Sequence, residues 1–361
     1  MTQRLRVGIL GCGAIAPAYL KNLTSDFTSM VDVVACADLD LALARSRATE
    51  FGVSKVMNAE DLLADQDVDL VVNLTPAPAH FKTSLQVLEA GKHLFTEKPL
   101  CLSLTEGREL LDAADRNGVQ IGGAADTFLG GSFRLCSKLI AAEAIGFPVV
   151  AHAMISVGTY DSMRYHKVFS GALLDLGPYY ITALIMLFGS VTRVSGIADI
   201  RFPEKVDGQS GERFSLDRAS TAVAGLSFEN GVAATVIASE DVHNYFPSVE
   251  VFGRKGRMKL SDANMYGEKI TVETNHETRS VNPSPEDGYI AKGRGLGVAE
   301  MALALKEGRA PRSSGALMYH VLETMLAVYE SSQSGTHLTI ESRAEPFEPL
   351  SDRELSAILG K

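Results

Sequence analysis

The stretch GILGCGAIA, residues 8–16, decides the fold of this chain. An apolar run from Leu5 to Leu10 leads into two glycines separated by one residue, and an alanine follows three positions later. In a dinucleotide-binding turn the first glycine makes the tight turn, the second lets the backbone approach the pyrophosphate, and the alanine keeps helix and strand close. The next helix then points free amides at the phosphates. The pattern predicts cofactor contacts at Gly11, Cys12, Gly13, Ala14 and Ile15.

The first third of the chain alternates short apolar runs with helical patterns. The runs lie at residues 5–10, 31–37, 69–74, 93–96 and 119–122, with a weaker one at 55–57. None alternates cleanly between apolar and polar residues, which is typical of strands buried on both faces of a parallel sheet. We therefore predict an α/β fold that begins with a doubly wound Rossmann domain, binding NAD(P), over residues 1–124.

Two of the helical patterns carry end signals. Residues 79–90 place Phe81, Leu85 and Leu88 on one stripe, and Gly91 follows as a stop. The sequence Ser103-Leu104-Thr105-Glu106 has the form of a capping box, and it opens a predicted helix that runs to residue 117.

Asp38 follows the second predicted strand and bears on the choice between NAD and NADP. A carboxylate at this place accepts hydrogen bonds from the adenosine ribose and repels a 2′-phosphate, which favours NAD. Arg45 and Arg47 on the next helix can still accommodate a 2′-phosphate, so NADP stays possible. The alternative interpretation of Asp38 is an ordinary turn aspartate.

Composition and charge argue against several classes of protein. The 361 residues exceed one compact core and suggest two domains. With 44 acidic and 34 basic residues, the net charge of −10 argues against a nucleic-acid partner. The apolar stretch 181–188 is too short to span a bilayer, and the first strand leaves no room for a signal peptide. The four cysteines are scattered and the histidines lack ligand spacing, so we expect a cytoplasmic protein without a disulfide frame or a metal site.

Three further segments lie in order along the chain: NLTPAPAH at residues 73–80, EKP at 97–99 and GALLDLGPYY at 171–180. Together with the glycine turn they resemble the glucose–fructose oxidoreductase/inositol dehydrogenase/rhizopine catabolism family (Gfo/Idh/MocA). The resemblance implies a C-terminal α+β domain, residues 125–361, on a large open, mostly antiparallel sheet, with late helices that can pack back on the first domain. In this family the sheet commonly packs against another subunit, which implies a homodimer or homotetramer.

The resemblance also implies an activity and residues for it. Members mostly transfer a hydride between nicotinamide and a hydroxyl or carbonyl group of a sugar, sugar acid or cyclitol. Lys98 matches the lysine that the family brings to nicotinamide and substrate, and the bond from that lysine to the proline is often cis. The other implied cofactor contacts are Thr75, Pro76, His80 and Glu97. Their alternatives are a water-facing Lys98, a structural His80 and a structural ion pair at Glu97.

Three positions depart from the common family pattern. Many members carry histidine where Tyr179 stands and a second aspartate where Thr182 stands, and asparagine is usual at Ala77. Tyrosine at the histidine position occurs in branches that resemble glucose–fructose oxidoreductase and dihydrodiol dehydrogenase. The resemblance therefore implies a Lys98–Tyr179 pair in place of the inositol-dehydrogenase type of Asp/His pair.

Lys98 and Tyr179 could handle a proton together. A phenol with a pKa near 10 is a poor base at neutral pH, and a nearby ammonium group lowers that pKa. The pair can then take the proton that a substrate hydroxyl loses when its hydride leaves. Asp175 is the third catalytic candidate, and it could also cap the helix that runs to Phe188. The alternative for Tyr179 is a packing role.

Beyond Asp126 the pattern changes to strands joined by turns. Strands are predicted at 149–157, 191–199, 221–228, 232–239 and 249–252, and helices at 172–188, 298–306 and 316–331. Residues 201–213 have the composition of a polar loop. Arg164 and His166 lie in another polar loop and are candidate substrate contacts, with solvated loop residues as the alternative.

Two other functions stay open on the sequence alone. One is a glycoside hydrolase that keeps NAD bound and uses transient redox chemistry. The other is a catalytically silent, dinucleotide-binding regulator.

Overall fold

The glycine turn lies at the centre of a six-stranded parallel sheet. In this computed structural model, which describes residues 4–157, 163, 171–345 and 348–361, the strand order is β3-β2-β1-β4-β5-β6. The strands are β1 (Leu5–Leu10), β2 (Val31–Ala37), β3 (Lys55–Met57), β4 (Leu70–Asn73), β5 (His93–Thr96) and β6 (Ile121–Gly123). The helices between them are α1 (Ala16–Leu23), α2 (Leu41–Phe51), α3 (Ala59–Ala64), α4 (Ala77–Glu89) and α5 (Leu104–Asn117). The predicted Rossmann sheet is confirmed.

The strand order explains where ligands can bind. Strand β1 pairs with β2 on one side and with β4 on the other, both in parallel. The chain therefore reverses its direction of travel across the sheet between β1 and β4. In open α/β sheets, the crevice outside the carboxyl ends of the strands at such a point is the usual binding place.

The helix ends follow the sequence signals with one correction. Gly118 ends α5 in the left-handed region, as a C-terminal glycine does. The Ser103 side chain accepts a hydrogen bond from the Glu106 amide, so the N-cap is present. The Glu106 carboxylate, however, accepts from the amide of Leu102. The predicted capping box is therefore wrong in its second half, because the carboxylate reaches one residue past the N-cap.

A nine-stranded, mostly antiparallel sheet forms the second fold element, in the order β16-β15-β14-β13-β7-β12-β11-β8-β17. Only the β7–β12 pair is parallel among its described pairs. Its strands are β7 (Pro148–Ser156), β8 (Val191–Asp199), β11 (Thr221–Phe228), β12 (Ala233–Ser239), β13 (Ser248–Gly253), β14 (Gly256–Leu260), β15 (Ile270–Thr274), β16 (Thr278–Val281) and β17 (Leu338–Thr339). The large, open, mostly antiparallel sheet is confirmed.

The remaining elements include two that differ from the sequence expectation. Helices are α6 (Gly131–Ala141), α7 (Ala172–Asp175), α8 (Gly177–Phe188), α9 (Leu296–Glu307), α10 (Gly315–Ser334) and α11 (Asp352–Leu359). The single helix predicted over 172–188 is wrong, since Leu176 separates two helices. The polar loop predicted at 201–213 instead contains a short hairpin of β9 (Glu204–Val206) and β10 (Arg213–Ser215).

The chain divides into two compact units. The first comprises residues 1–126, 291–319 and 350–361, and the second comprises 127–290 and 320–349. Within the first unit, Glu300 is fully buried and accepts from Arg309 at 2.7 Å and from Arg312 at 3.0 Å. Arg312 also pairs with Glu354 of α11 at 2.9 Å. These ion pairs hold the last helix, α11, within the first unit.

None of the helices in the described part of the chain is both long enough and apolar enough to cross a membrane.

Candidate functional site

The two glycines of the turn have different surroundings. Gly11 has φ +95°, and a Cβ placed there would lie 2.8 Å from the carbonyl carbon of Leu74 and 2.9 Å from the amide nitrogen of Thr75. A side chain at Gly11 would therefore collide with the backbone that follows β4. A Cβ on Gly13 would meet nothing within 4 Å. The space beside Gly13 is open, as a turn that lets a pyrophosphate approach its backbone requires.

Helix α1 begins at Ala16 without a side-chain cap, and a proline lies in its first turn. Its N-terminal amides are therefore not satisfied by an N-cap side chain. Such an end carries a partial positive charge and suits an anion. The open space at Gly13 and the uncapped helix end both fit a dinucleotide phosphate, so the residues present agree with the cofactor that the turn predicts.

Asp38 fixes the shape of the turn from the neighbouring strand. One carboxylate oxygen accepts from the Cys12 amide at 2.7 Å, and the other accepts from the Asp40 amide at 2.9 Å. Arg47 pairs with Glu50 at 2.8 Å and approaches the Cys12 carbonyl at 3.4 Å. The negative charge of Asp38 thus lies beside the turn, while the guanidinium of Arg47 is held by a carboxylate on its own helix.

The loop after β4 is organised by a buried asparagine. Asn73 accepts from the amide and the hydroxyl of Thr75 through one side-chain oxygen, at 3.1 and 2.7 Å. Its amide group donates to Thr83 and Ser84 of helix α4. Pro76 is the N-cap residue of α4 and offers no side-chain cap. The hydrogen bonds of Asn73 therefore fix the conformation of this loop. The uncapped N-terminus of α4 lies directly after the loop, at the carboxyl edge of the sheet.

The loop after β5 contains Glu97, Lys98 and Pro99, and the Lys98–Pro99 peptide bond is cis, as the family resemblance implies. Glu97 is buried, and its carboxylate accepts from the Tyr19 hydroxyl at 2.8 Å and from the Lys98 amide at 3.1 Å. Tyr19 belongs to α1, the helix that follows the glycine turn. Glu97 thus connects the β5 loop to the dinucleotide helix, and its direct contact with the cofactor stays a prediction.

His80 connects the two loops. Its Nε2 lies 2.6 Å from the Thr75 carbonyl oxygen, and its Nδ1 lies 2.7 Å from the Pro99 carbonyl oxygen. The ring is buried, and burial lowers its pKa, whereas the two carbonyl oxygens act in the opposite direction. Both ring nitrogens face backbone oxygens, so the ring holds the loops that carry the predicted cofactor contacts. A direct contact of His80 with the cofactor stays a prediction.

In the second unit, the segment from Gly171 to Tyr180 is almost completely buried. Gly171 has φ +99° and precedes helix α7, which ends at Asp175. Helix α8 has Leu176 as its N-cap residue and no side-chain cap. The predicted capping role of Asp175 is therefore wrong, because the chain turns once more between the two helices. Asp175 itself is buried, and its catalytic role stays a prediction.

Two neighbouring tyrosines begin helix α8. Tyr179 is 2% exposed and Tyr180 is fully buried. The Tyr180 hydroxyl donates to one Asp262 oxygen at 2.8 Å, and Tyr245 donates to the other oxygen at 2.8 Å. Burial raises the pKa of Tyr180. The hydroxyl of Tyr180 therefore has a structural role at Asp262.

Sequence reasoning missed a buried charged cluster beside this segment. Glu240 follows β12, is 1% exposed, and accepts from the amide of Ala172 at the start of α7. Burial raises its pKa to about 7, and the carboxylates of Asp241 and Asp175 act in the same direction. Lys205 of the β9–β10 hairpin pairs with Asp241 at 3.1 Å, with both side chains buried. The available signal was an acid pair directly after an apolar strand.

Some predicted residues lie elsewhere. Arg164 and His166 fall outside the described residues. Among residues 4–157, 163, 171–345 and 348–361, no group of three or more His, Cys, Asp or Glu side chains is arranged to hold a metal ion. All four cysteines are buried and unpaired.

Comparison with known proteins identifies the family. Residues 5–123 match the family described as the oxidoreductase family with an NAD-binding Rossmann fold, and residues 133–259 match the GFO/IDH/MocA C-terminal domain. The chain belongs to the Gfo/Idh/MocA oxidoreductase family. The resemblance seen in the sequence is thus confirmed, and the first unit contains an NAD-binding Rossmann domain.

Two similar proteins, a reductase and a dehydrogenase, illustrate what this chain resembles. A dTDP-3,4-didehydro-2,6-dideoxy-α-D-glucose 3-reductase of Streptomyces violaceoruber is 30% identical over 72% of this chain and 74% of its own length. A trans-1,2-dihydrobenzene-1,2-diol dehydrogenase of Bos taurus is 27% identical over 84% of this chain and 88% of its own. A structure of levoglucosan dehydrogenase with NADH and L-sorbose shares the fold, with a TM-score of 0.82 at 21% identity, covering 94% of this chain and all of that one.

Proposed function

We propose that this oxidoreductase transfers a hydride between NAD and a hydroxyl or carbonyl group of a sugar, sugar acid or cyclitol. The observation that carries the proposal is the carboxyl edge of the Rossmann sheet. There Gly11 packs against Leu74 and Thr75, and His80 ties Thr75 to the Lys98–Pro99 loop. The substrate class rests on relatives named for a deoxysugar nucleotide and for levoglucosan.

We assign proton transfer to Lys98 and Tyr179. Bound NAD supplies the nicotinamide carbon that accepts or returns the hydride. In the oxidative direction the substrate carbon loses a hydride, and the hydroxyl proton passes to the phenolate oxygen of Tyr179. The ammonium group of Lys98 favours that phenolate and the developing alkoxide. In the reductive direction the phenol returns the proton to the carbonyl oxygen.

Asp175 completes the proposed catalytic set. It lies four residues before Tyr179 on the same buried segment, across the break at Leu176, and Glu240 holds the start of that segment through the Ala172 amide. We assign the Asp175 carboxylate to accept a hydrogen bond from a substrate hydroxyl group. Arg164 and His166 remain proposed substrate contacts in the preceding loop.

We propose NAD over NADP as the physiological cofactor. The Asp38 carboxylate lies beside the Cys12 amide, where it would repel a 2′-phosphate. Arg47, which could neutralise such a phosphate, already pairs with Glu50. The proposed cofactor contacts are Gly11, Cys12, Gly13, Ala14, Ile15, Asp38, Thr75, Pro76, His80, Glu97 and Lys98.

We propose that the chain forms a homodimer or homotetramer through the outer face of its large sheet. Four apolar side chains lie side by side across four strands: Met154 opposes Ile237, Ile237 opposes Val223, and Val223 opposes Ile197. Ile197 is 71% exposed and Val223 is 40% exposed. An exposed apolar row of this kind is a candidate subunit interface. Sedimentation velocity would contradict this assignment if it gave only monomers at micromolar concentration.

We propose the cytoplasm as the location. Four buried, unpaired thiols are typical of a protein kept in a reducing compartment. Fractionation of the source cells would test this assignment.

The activity is tested by incubating the protein with a panel of sugars, sugar acids and inositols in the presence of NAD or NADP. We expect absorbance of the reduced cofactor to rise with at least one substrate and faster with NAD. Release of an aglycone without net NADH would instead support the hydrolase alternative. Tight NAD binding without turnover of any compound in either direction would support the silent regulator and contradict the proposal.

A further inference from the structure

The imidazole ring of His80 lies between two backbone hydrogen-bond acceptors. Its ring nitrogens lie 2.6 and 2.7 Å from two carbonyl oxygens, those of Thr75 and Pro99. A carbonyl oxygen can only accept, and a neutral imidazole has one N–H and one bare nitrogen. Only the imidazolium can donate to both oxygens at these distances. With a bare nitrogen, one of the two contacts would set lone pair against lone pair.

Two other histidines of this chain show the opposite arrangement. His93 accepts from the Gln120 amide through Nδ1 at 3.0 Å, and His320 accepts from the Val191 amide through Nε2 at 3.0 Å. Each of those rings must keep one nitrogen bare, and burial lowers the pKa of His320 to about 4. His80 is therefore distinguished by its partners, since desolvation lowers the pKa of all three rings.

The charges around the ring come from the loop after β5. Burial opposes the cationic ring and lowers its pKa, whereas Glu97 favours the cation and Lys98 opposes it. The negative charge of Glu97 is itself held by the Tyr19 hydroxyl and the Lys98 amide. The ring thus has one buried carboxylate neighbour that can balance its charge, within the same loop that it holds.

We propose that His80 is a positioning residue whose imidazolium donates to Thr75 and Pro99 at once and so fixes the two cofactor-binding loops relative to each other. Its loss of one proton releases one of the two loops. Thr75 lies against Gly11 of the dinucleotide turn, and Pro99 follows Lys98. Releasing either loop therefore disturbs the place where the cofactor and the predicted catalytic lysine must meet.

The first test reads the ring directly. In protein labelled with ¹⁵N histidine, long-range proton–nitrogen correlation at pH 5.5 distinguishes protonated from bare ring nitrogens. We expect one buried histidine with both nitrogens protonated, and we expect that signal to vanish in His80→Gln. The His93 and His320 rings, each with one bare nitrogen, serve as internal references. A bare nitrogen on His80 at pH 5.5 would overturn the proposal.

The second test asks whether the ring acts on cofactor binding. The chain contains no tryptophan, so NADH emission can be followed without interference from indole. We expect the affinity of wild-type protein for NADH to fall about three- to tenfold as the pH rises through the titration of the ring. His80→Gln should bind more weakly at low pH and lack this change, and His93→Gln should keep the wild-type profile. Identical profiles for wild type and His80→Gln would overturn the positioning role.

These measurements use the Rossmann domain's NADH binding and no turnover, so a failure of the proposed substrate class leaves them unaffected. If His80→Gln does not fold, the wild-type ring signals and the wild-type affinity profile still decide the proposal.

Discussion

The glycine turn after β1 and the Gly171–Tyr180 segment both begin with a glycine at positive φ and lead into a helix, yet they expose different parts of the chain. In the turn, the backbone beside Gly13 faces open space. In the later segment, the candidate groups are side chains, and Asp175 and Tyr179 are buried. A site made by backbone amides depends on glycine spacing, whereas a site made by buried side chains depends on what packs around them. The two should respond to substitution differently.

The largest effect is expected at Tyr179. Tyr179→Phe removes the proposed proton acceptor and should lower turnover about 10²- to 10⁴-fold while NAD affinity changes little. Steady-state kinetics with the best substrate from the panel measures it. Tyr180→Phe is the matched control: it removes a hydrogen bond to Asp262 and should cost about 1–2 kcal/mol of stability with turnover retained. Full turnover in Tyr179→Phe would contradict the assignment.

Substitutions at the two glycines of the turn should affect different quantities, the stability of the fold at Gly11 and the affinity for NAD at Gly13. Gly11→Ala places a Cβ 2.8 Å from the backbone after β4 at φ +95°, so it should cost about 1–3 kcal/mol of unfolding free energy. Gly13→Val enters open space and should leave stability nearly unchanged while weakening NAD binding at least about tenfold, or roughly 1.4 kcal/mol. Urea unfolding and NADH titration of both variants measure this contrast. Equal loss of stability in both would contradict it.

The next largest effect is expected on the pH dependence of stability, and it depends on the protonation of Glu240 beside the buried segment. Its pKa is raised from 4.5 to about 7, so between these pH values the folded protein holds a proton that the unfolded chain has lost. The contribution of Glu240 to the unfolding free energy should therefore fall as the pH rises through that range, by up to about 3 kcal/mol, and stay low above it; the difference between wild type and Glu240→Gln isolates this contribution. Glu240→Gln should lack this fall and be the more stable protein at pH 8.

Urea unfolding at several pH values measures this dependence. Glu204→Gln, an exposed position, is the control and should keep the wild-type dependence. An unchanged pH dependence in Glu240→Gln would contradict the account.

The smallest effect is expected at Asp38. Asp38→Asn removes the charge that opposes a 2′-phosphate, and the ratio of kcat/KM for NAD to that for NADP should fall about tenfold, or roughly 1.4 kcal/mol. Asp40→Asn is the matched control, because Asp40 caps α2 from an exposed position and asparagine caps as well. An unchanged ratio in Asp38→Asn would argue that this acid only shapes the turn.

The Rossmann sheet could be predicted because its strands are short and apolar and several are flanked by glycines, and its topology follows from alternation with helices. The contact of Gly11 with Leu74 could not, since it depends on which strand lies beside β1. In the later segment, the sequence predicted one helix with Asp175 as its cap, and the break at Leu176 appears only when the surrounding packing is known. Glu240 and Lys205 were missed because residues far apart in the chain bring them together.

The central claim is that a lysine after β5 serves the chemistry rather than the fold, and Lys98→Met tests it most directly when kcat and NADH affinity are measured on the same preparation. We predict a fall in kcat of at least about 10², NADH affinity within about threefold of wild type, and partial recovery of kcat in Lys98→Arg, which keeps the charge. Wild-type kcat in Lys98→Met would contradict the account.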